Sequence, residues 1–164
     1  MKQVLFICTA NICRSPMAEA IFNTLAEDAG LPFRSESAGV AALRGEDMAP
    51  HVRAVLGEAG IYPNSHRARQ VDKGMLREAD LVLTMSYGHI AKLQDSFENF
   101  QQEISTLPEH VNDASGQREV PDPYGLTPAA YRACMRQLLG DVELLIQKLR
   151  FQTVHETLEE KTFD

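Results

Sequence analysis

Four consecutive apolar residues, Val4-Leu5-Phe6-Ile7, run straight into Cys8-Thr9-Ala10-Asn11-Ile12-Cys13-Arg14-Ser15, and proline follows at position 16. A short unbroken apolar run of this kind reads as a strand buried on both faces, which belongs in a parallel sheet covered by helices. Ser15 before Pro16 has the chemistry of an N-cap followed by a first helical position. The segment therefore predicts strand, tight loop and helix in immediate succession. In an open α/β sheet such a loop lies outside the carboxyl end of its strand, where ligands bind.

A loop pinned in this way gathers backbone N–H groups at the positive end of a helix dipole. Arg14 adds a guanidinium that forks two oxygens of an anion. Five residues separate it from Cys8, which lets the chain curl round a tetrahedral dianion with the sulfur beneath and Arg14 beside the equatorial oxygens. Thr9, Ala10, Asn11, Ile12 and Cys13 form the cradle, and the same positive field favours thiolate over thiol at Cys8. Asn11 tolerates left-handed backbone and can hydrogen-bond within the loop. No metal or other cofactor is expected. Cys8 and Cys13 lack the second ligand pair of a zinc site, and none of the histidines at 51, 66, 89, 110 and 155 stands at ligand spacing from them.

Asp122 stands between Pro121 and Pro123, a stiff setting in which residues preceding proline are biased to extended backbone. Pro-Asp-Pro is good turn chemistry in its own right. Beside a thiolate and an anion cradle it reads further. Thiolate attack on phosphorus expels an oxygen that needs a proton, and the water that later attacks needs a base; one carboxyl group serves both steps in turn.

The rest of the chain predicts helices over 17–29, from Pro50 to Ala59, from Asp72 to Glu78, over 87–94 and from Thr127 onward, with strands over 33–38, 80–84 and 103–107. The first helix is expected to turn Met17, Ala20, Ile21, Thr24 and Leu25 inward, and 107–124 reads as loop. The fold class is thus α/β, a three-layer αβα sandwich round a four-stranded parallel sheet. At 164 residues and 44% apolar, the chain is expected to form one domain, with 151–164 as a tail that frays or extends the last helix. A net charge of −7 argues against general nucleic-acid binding. No apolar run is long enough for membrane insertion or for a signal-peptide core, so a cytoplasmic location is expected. Three cysteines at 8, 13 and 134 imply no disulfide framework.

The segment VLFICTANICRSPMAEAIF resembles the active-site segment of the low-molecular-weight protein tyrosine phosphatases. Ser37-Ala38-Gly39, His66-Arg67-Ala68-Arg69-Gln70, Asp80-Leu81-Val82-Leu83-Thr84-Met85 and Pro121-Asp122-Pro123-Tyr124 follow in that family's order, so the likeness spans about 2–150. The resemblance implies a phosphatase in which Cys8 attacks, Arg14 clamps phosphate and Asp122 serves as acid and base. It pairs His66 with Asn11 and gives Ser15 a hydroxyl that stabilises the Cys8 thiolate, beside its reading as an N-cap. Tyr124 offers an aromatic wall. Leu43 sits where eukaryotic relatives carry a large aromatic and bacterial ones an aliphatic side chain; with Ser86 in place of an acidic residue, this implies a bacterial source. Ala10 replaces the family's loop glycine, and a positive φ there would be strained. Cys13 reads equally as a core residue and as a partner for Cys8 in a reversible disulfide. The implied partner is a phosphotyrosine protein, a bacterial tyrosine kinase among the candidates, and the implied state a monomer or weak dimer.

Other readings share the loop. Arsenate reductases need resolving cysteines, and none occurs between residues 14 and 133. Protein arginine phosphatases carry threonine where this chain has Ile12, which favours phosphotyrosine here. A non-catalytic phosphate-binding module would not need Cys8, Arg14 and Asp122 together. A nucleotide-binding loop would need a following Gly-Lys-Ser/Thr.

Overall fold

The computed structural model describes residues 1–99 and 102–162. The elements run β1 (Lys2–Cys8), α1 (Arg14–Asp28), β2 (Phe33–Gly39), α2 (Pro50–Glu58), α3 (Lys73–Glu78), β3 (Leu81–Thr84), α4 (Tyr87–Ser96), β4 (Ile104–Thr106), α5 (Leu107–His110) and α6 (Pro128–Thr162). All four strands are parallel in the order β2-β1-β3-β4. Strand order reverses at β1, so the loop that leaves β1 opens at the topological switch point.

Alternation along β1 builds two cores. Val4, Phe6 and Cys8 face the layer of α1, α2 and α6, with Phe6 set edge-on to Phe22 at 5.8 Å between ring centres. Leu5 and Ile7 face Val71, Leu76 and Leu93 on the side of α3 and α4. Both faces of the strand are thus dry, as its unbroken apolar run requires. Asp72 caps α3 as expected, accepting from the Met75 N–H at 2.8 Å.

Two expectations are corrected. α1 starts at Arg14, not Met17, so its buried stripe is Met17, Ala18, Ala20, Ile21, Phe22 and Ala26, and Thr24 and Leu25 are only half-buried. The stretch after β4 is not all loop: the Thr106 side chain caps the short α5 through the Glu109 N–H. Of the two courses expected for the tail, the structure shows extension of the last helix. α6 runs unbroken to Thr162 and Lys2 pairs with Glu156 at 2.9 Å; Phe163 and Asp164 lie outside the described residues.

Candidate active site

β1 ends at Cys8 and α1 begins at Arg14, so the expected loop is the whole connection between them. Its carbonyls turn outward onto the chain that follows β2. Val40 N–H donates to Cys8 O, Ala41 to Thr9 O, Leu43 to Ala10 O and Ala49 to Ile12 O, at 2.9 to 3.1 Å. None of the N–H groups of Thr9 to Arg14 donates to a backbone acceptor among the described residues. The result is a concave run of free donors, the arrangement that binds an anion. Gly39 closes the turn from beneath: a Cβ there would lie 2.3 Å from Thr9 O and 3.1 Å from Asn11 N.

Asn11 holds the loop's shape. Its φ is 60°, and its side chain satisfies three neighbours: Nδ2 donates to Ser15 Oγ at 2.8 Å and to Ser37 Oγ at 2.9 Å, while Oδ1 accepts from Arg69 N at 3.0 Å. The left-handed turn falls on Asn11 and not on Ala10, so the alanine in place of glycine brings no strain. His66 does meet Asn11, through the main chain: Nε2 donates to the Asn11 carbonyl at 2.7 Å. Ser37 passes the network on, donating to Glu19 Oε2 at 2.5 Å, and burial pushes that carboxyl above its ordinary range.

Cys8 is 3% exposed, with its sulfur 2.9 Å from Ser15 Oγ. Ser15 is therefore not an N-cap. The helix begins one residue before it, Cys13 takes the cap position without a side-chain bond, and the freed hydroxyl turns back to Cys8 and Asn11. Cys13 points to Tyr131 OH at 3.8 Å, and burial pushes its thiol up to about 11. All three cysteines are free thiols. Ile12 is buried in the apolar cluster that also holds Cys8 and Met48.

Arg14 reaches across to the segment before α6. Nη1 donates to the Val120 carbonyl at 3.0 Å and Nη2 lies 3.4 Å from Asp122 Oδ2, while Nε is buried without a partner. Val120 is itself fastened to the end of β3, its N–H donating to Met85 O at 2.8 Å. Asp122 is half-exposed and accepts from the Tyr124 N–H at 3.1 Å, which folds Tyr124 back beside it. Leu43 and Tyr124 are exposed on separate segments, each one bond away from the loop or from Asp122.

Several residues of the site escaped the sequence. Ser37 and Arg69 brace Asn11 from β2 and the chain before α3, and Glu19 on α1 holds Ser37. His89, on α4, holds Thr9 instead: its Nδ1 accepts from Ser86 N at 3.1 Å, so Nε2 carries the proton and donates to Thr9 Oγ1 at 2.9 Å. Burial, aided by Arg14, lowers His89 to about 4, which keeps the ring neutral. Ser86 and His89 stand three apart, the spacing of a capping box, and that was the one local signal. A cavity of about 780 Å³ is lined by Ile61, Tyr62, Glu19 and His66 and by no residue of the Cys8–Arg14 loop.

Known proteins are similar to this chain in sequence and fold along most of their length. The family model "Low molecular weight phosphotyrosine protein phosphatase" matches residues 3–157. A protein-arginine-phosphatase of Bacillus subtilis is 35% identical over 91% of this chain and 95% of its own length. A low molecular weight protein-tyrosine-phosphatase of Streptomyces coelicolor is 36% identical over 92% and 94%. Among crystal structures, the low molecular weight protein tyrosine phosphatase of T. tengcongensis superposes with a TM-score of 0.84 at 37% identity, covering 90% of this chain and 99% of its own. With its sheet order, its Cys8–Arg14 loop and a match along nearly its whole length, the chain belongs to the low molecular weight phosphotyrosine protein phosphatase family.

Proposed function

We propose that the protein hydrolyses phosphotyrosine in protein substrates through a phosphocysteine intermediate. The observation that carries this reading is the reach of Arg14, which ends the Cys8 loop, to the Val120 carbonyl and to Asp122, and it supports Asp122 as the acid of the same site. The Cys8 thiolate attacks phosphorus; the S–P bond forms as the bond to the tyrosine oxygen breaks, and Asp122 gives that oxygen its proton. Asp122, now a carboxylate, takes a proton from the water that attacks phosphorus. The S–P bond breaks, inorganic phosphate leaves and the thiolate returns. Arg14 and the loop amides hold the equatorial oxygens throughout, where charge gathers in the transition state. The Ser15 hydroxyl, held by Asn11, donates to the sulfur whenever it is an anion.

Leu43 and Tyr124 form the walls for the substrate ring, and Cys8 at 3% exposure lies deep enough to favour a phosphoryl group carried on a long, flat side chain. The reading extends to a single catalytic domain over 1–164 that acts in the cytoplasm on phosphoproteins, bacterial tyrosine kinases among them, as a monomer or weak dimer. Among the described residues no helix is long and apolar enough to cross a membrane.

A second reading, protein arginine phosphatase, is favoured by the Bacillus relative and disfavoured by Ile12, an apolar side chain where those enzymes place a hydroxyl. Rates on matched phosphotyrosine and phosphoarginine peptides decide between them. A tyrosine preference is expected, and an arginine preference of about an order of magnitude would overturn the use made of Ile12.

A further inference from the structure

The side of α6 that meets the chain leading to Asp122 is interrupted by three polar side chains. Lys148 Nζ donates to the His110 carbonyl at 2.9 Å, Asp141 faces Asp113 carboxyl to carboxyl, and Gln137 Nε2 donates to the Glu119 carbonyl at 2.9 Å. Separations of four and seven residues put all three on one face of the helix. They form a strap along 110–119, and the chain beyond it continues through Val120, which Arg14 and Met85 grip, to Asp122.

The middle of the strap is chemically unusual. Asp141 is 2% exposed, and no N–H or hydroxyl donor reaches its Oδ2. Two carboxylates in contact, one of them buried, cannot both be ionised cheaply, so such a pair holds a proton between them. Burial first, then the hydrogen bond with Asp113 and its charge, push Asp141 up to about 8; Asp113 is held below its ordinary range by that same bond and by Ser115. At neutral pH Asp141 is therefore the donor and Asp113 the accepting carboxylate. Arg118 and Ser115 face the pair from the loop and Gln137 from the helix, while Lys148 and Glu103 face His110 farther along. Since Gln137 lies against the Asp141 carboxyl and also holds Glu119 O, loss of the proton is felt three residues before Asp122.

We propose that the Asp113–Asp141 pair is a proton-dependent latch, with Asp141 a positioning residue that holds the segment bearing Asp122 against α6. With the shared proton in place the strap closes; without it, two like charges push 111–119 off the helix. The effect on turnover rests on the reading of Asp122 as the proton donor, whereas the effect on the segment does not.

Lifting the segment lets Asp141 meet water, where it ionises at its ordinary value. Each unit of pH up to near 8 should therefore ease opening about tenfold, and the effect should level off once the acid ionises in place. Hydrogen exchange reads this at the Asp113 and Val120 amides, which are bonded to Pro108 O and Met85 O. After correction for the intrinsic rate, their protection should fall with that slope between pH 6 and 8 in the native chain and stay flat in Asp141→Asn, which keeps a donor but cannot titrate. A flat native profile, or the native slope in the variant, overturns the latch.

Should Asp141→Asn fail to fold, Asp113→Asn serves: removing the like charge should bring the plateau to lower pH, and an unmoved plateau is equally fatal. In turnover, phenyl phosphate depends on the acid more than p-nitrophenyl phosphate. Their rate ratio in the native chain, divided by that in Asp141→Asn at the same pH, should fall over the same range. If exchange behaves as expected while this quotient stays constant, the latch stands and the role of Asp122 fails.

Discussion

Gly39→Ala is the sharpest test of how the loop is supported. Gly39 ends β2 opposite Cys8, its N–H donating to Arg69 O and its carbonyl accepting from Val71 N–H. The added methyl would stand 2.3 Å from Thr9 O and 3.1 Å from Asn11 N. Both neighbours are backbone, which cannot swing aside as a side-chain tip does. Ordinary contact begins near 3.4 Å, so the Thr9 peptide must retreat by about 1 Å, and a misplacement of that size costs roughly a hundredfold in rate. Thr9 O would then leave Ala41 N–H, and the turn at Asn11 would lose its floor. Overpacking should also destabilise the protein by about 1–3 kcal/mol.

The assay is kcat/KM on an aryl phosphate together with urea unfolding, with Gly57→Ala as the companion. In that companion the nearest atom to the new Cβ is Tyr62 Cε1 at 3.5 Å, and a helix interior gains up to about 1 kcal/mol from the exchange. Native activity in Gly39→Ala would refute the account of a backbone cradle that only glycine permits.

Cys8→Ser should abolish turnover of aryl phosphates, whereas Asp122→Ala should slow it and let a phosphoenzyme accumulate, visible by intact mass after rapid quench; undiminished rates in the serine variant would end the proposed mechanism. Asn11→Ala and Asn11→Gly both lose three side-chain hydrogen bonds, but only alanine is strained at φ 60°. Chemical unfolding should find the alanine variant less stable than the glycine variant by about 1 kcal/mol, and equal stabilities would place the left-handed turn elsewhere. His89 titrates near 4 when folded and at its ordinary 6.5 when unfolded. Between those values only the unfolded chain binds the extra proton, so stability should fall as pH drops from 6.5 toward 4, by about 1.4 kcal/mol per unit from this residue. His89→Gln should remove that share of the slope in urea titrations at pH 7, 6 and 5.

The Cys8–Arg14 loop was legible because it is local. Its chemistry, its length and both flanking elements are written in one contiguous run. β1 and β3 were legible as short bounded apolar runs, while β2 and β4 were read as strands between helices, and the parallel sheet followed from that alternation. Ser15 shows where local rules mislead. Its identity suits a cap, yet the loop draws the helix start back to Arg14, and the hydroxyl then satisfies Cys8 and Asn11. α5 was hidden because four residues carry no periodicity and their proline suggested loop. Glu19, Arg69 and His89 carry no mark of function in their own neighbourhoods. They matter because α1, the chain before α3 and α4 converge on the loop that leaves β1, and nothing short of the folded sheet brings them together.

The long α6 has a bearing on both halves of the site. The helix packs on α1, which carries Arg14, and fastens the chain that carries Asp122, yet every other element precedes it in synthesis. Without α6 the core of Val4, Phe6 and Phe22 would lack its lid of Leu138, Val142 and Leu145, and the chain that carries Asp122 would lose its hold. The two halves of the site thus share one dependence, a helix that itself contributes no residue to the chemistry.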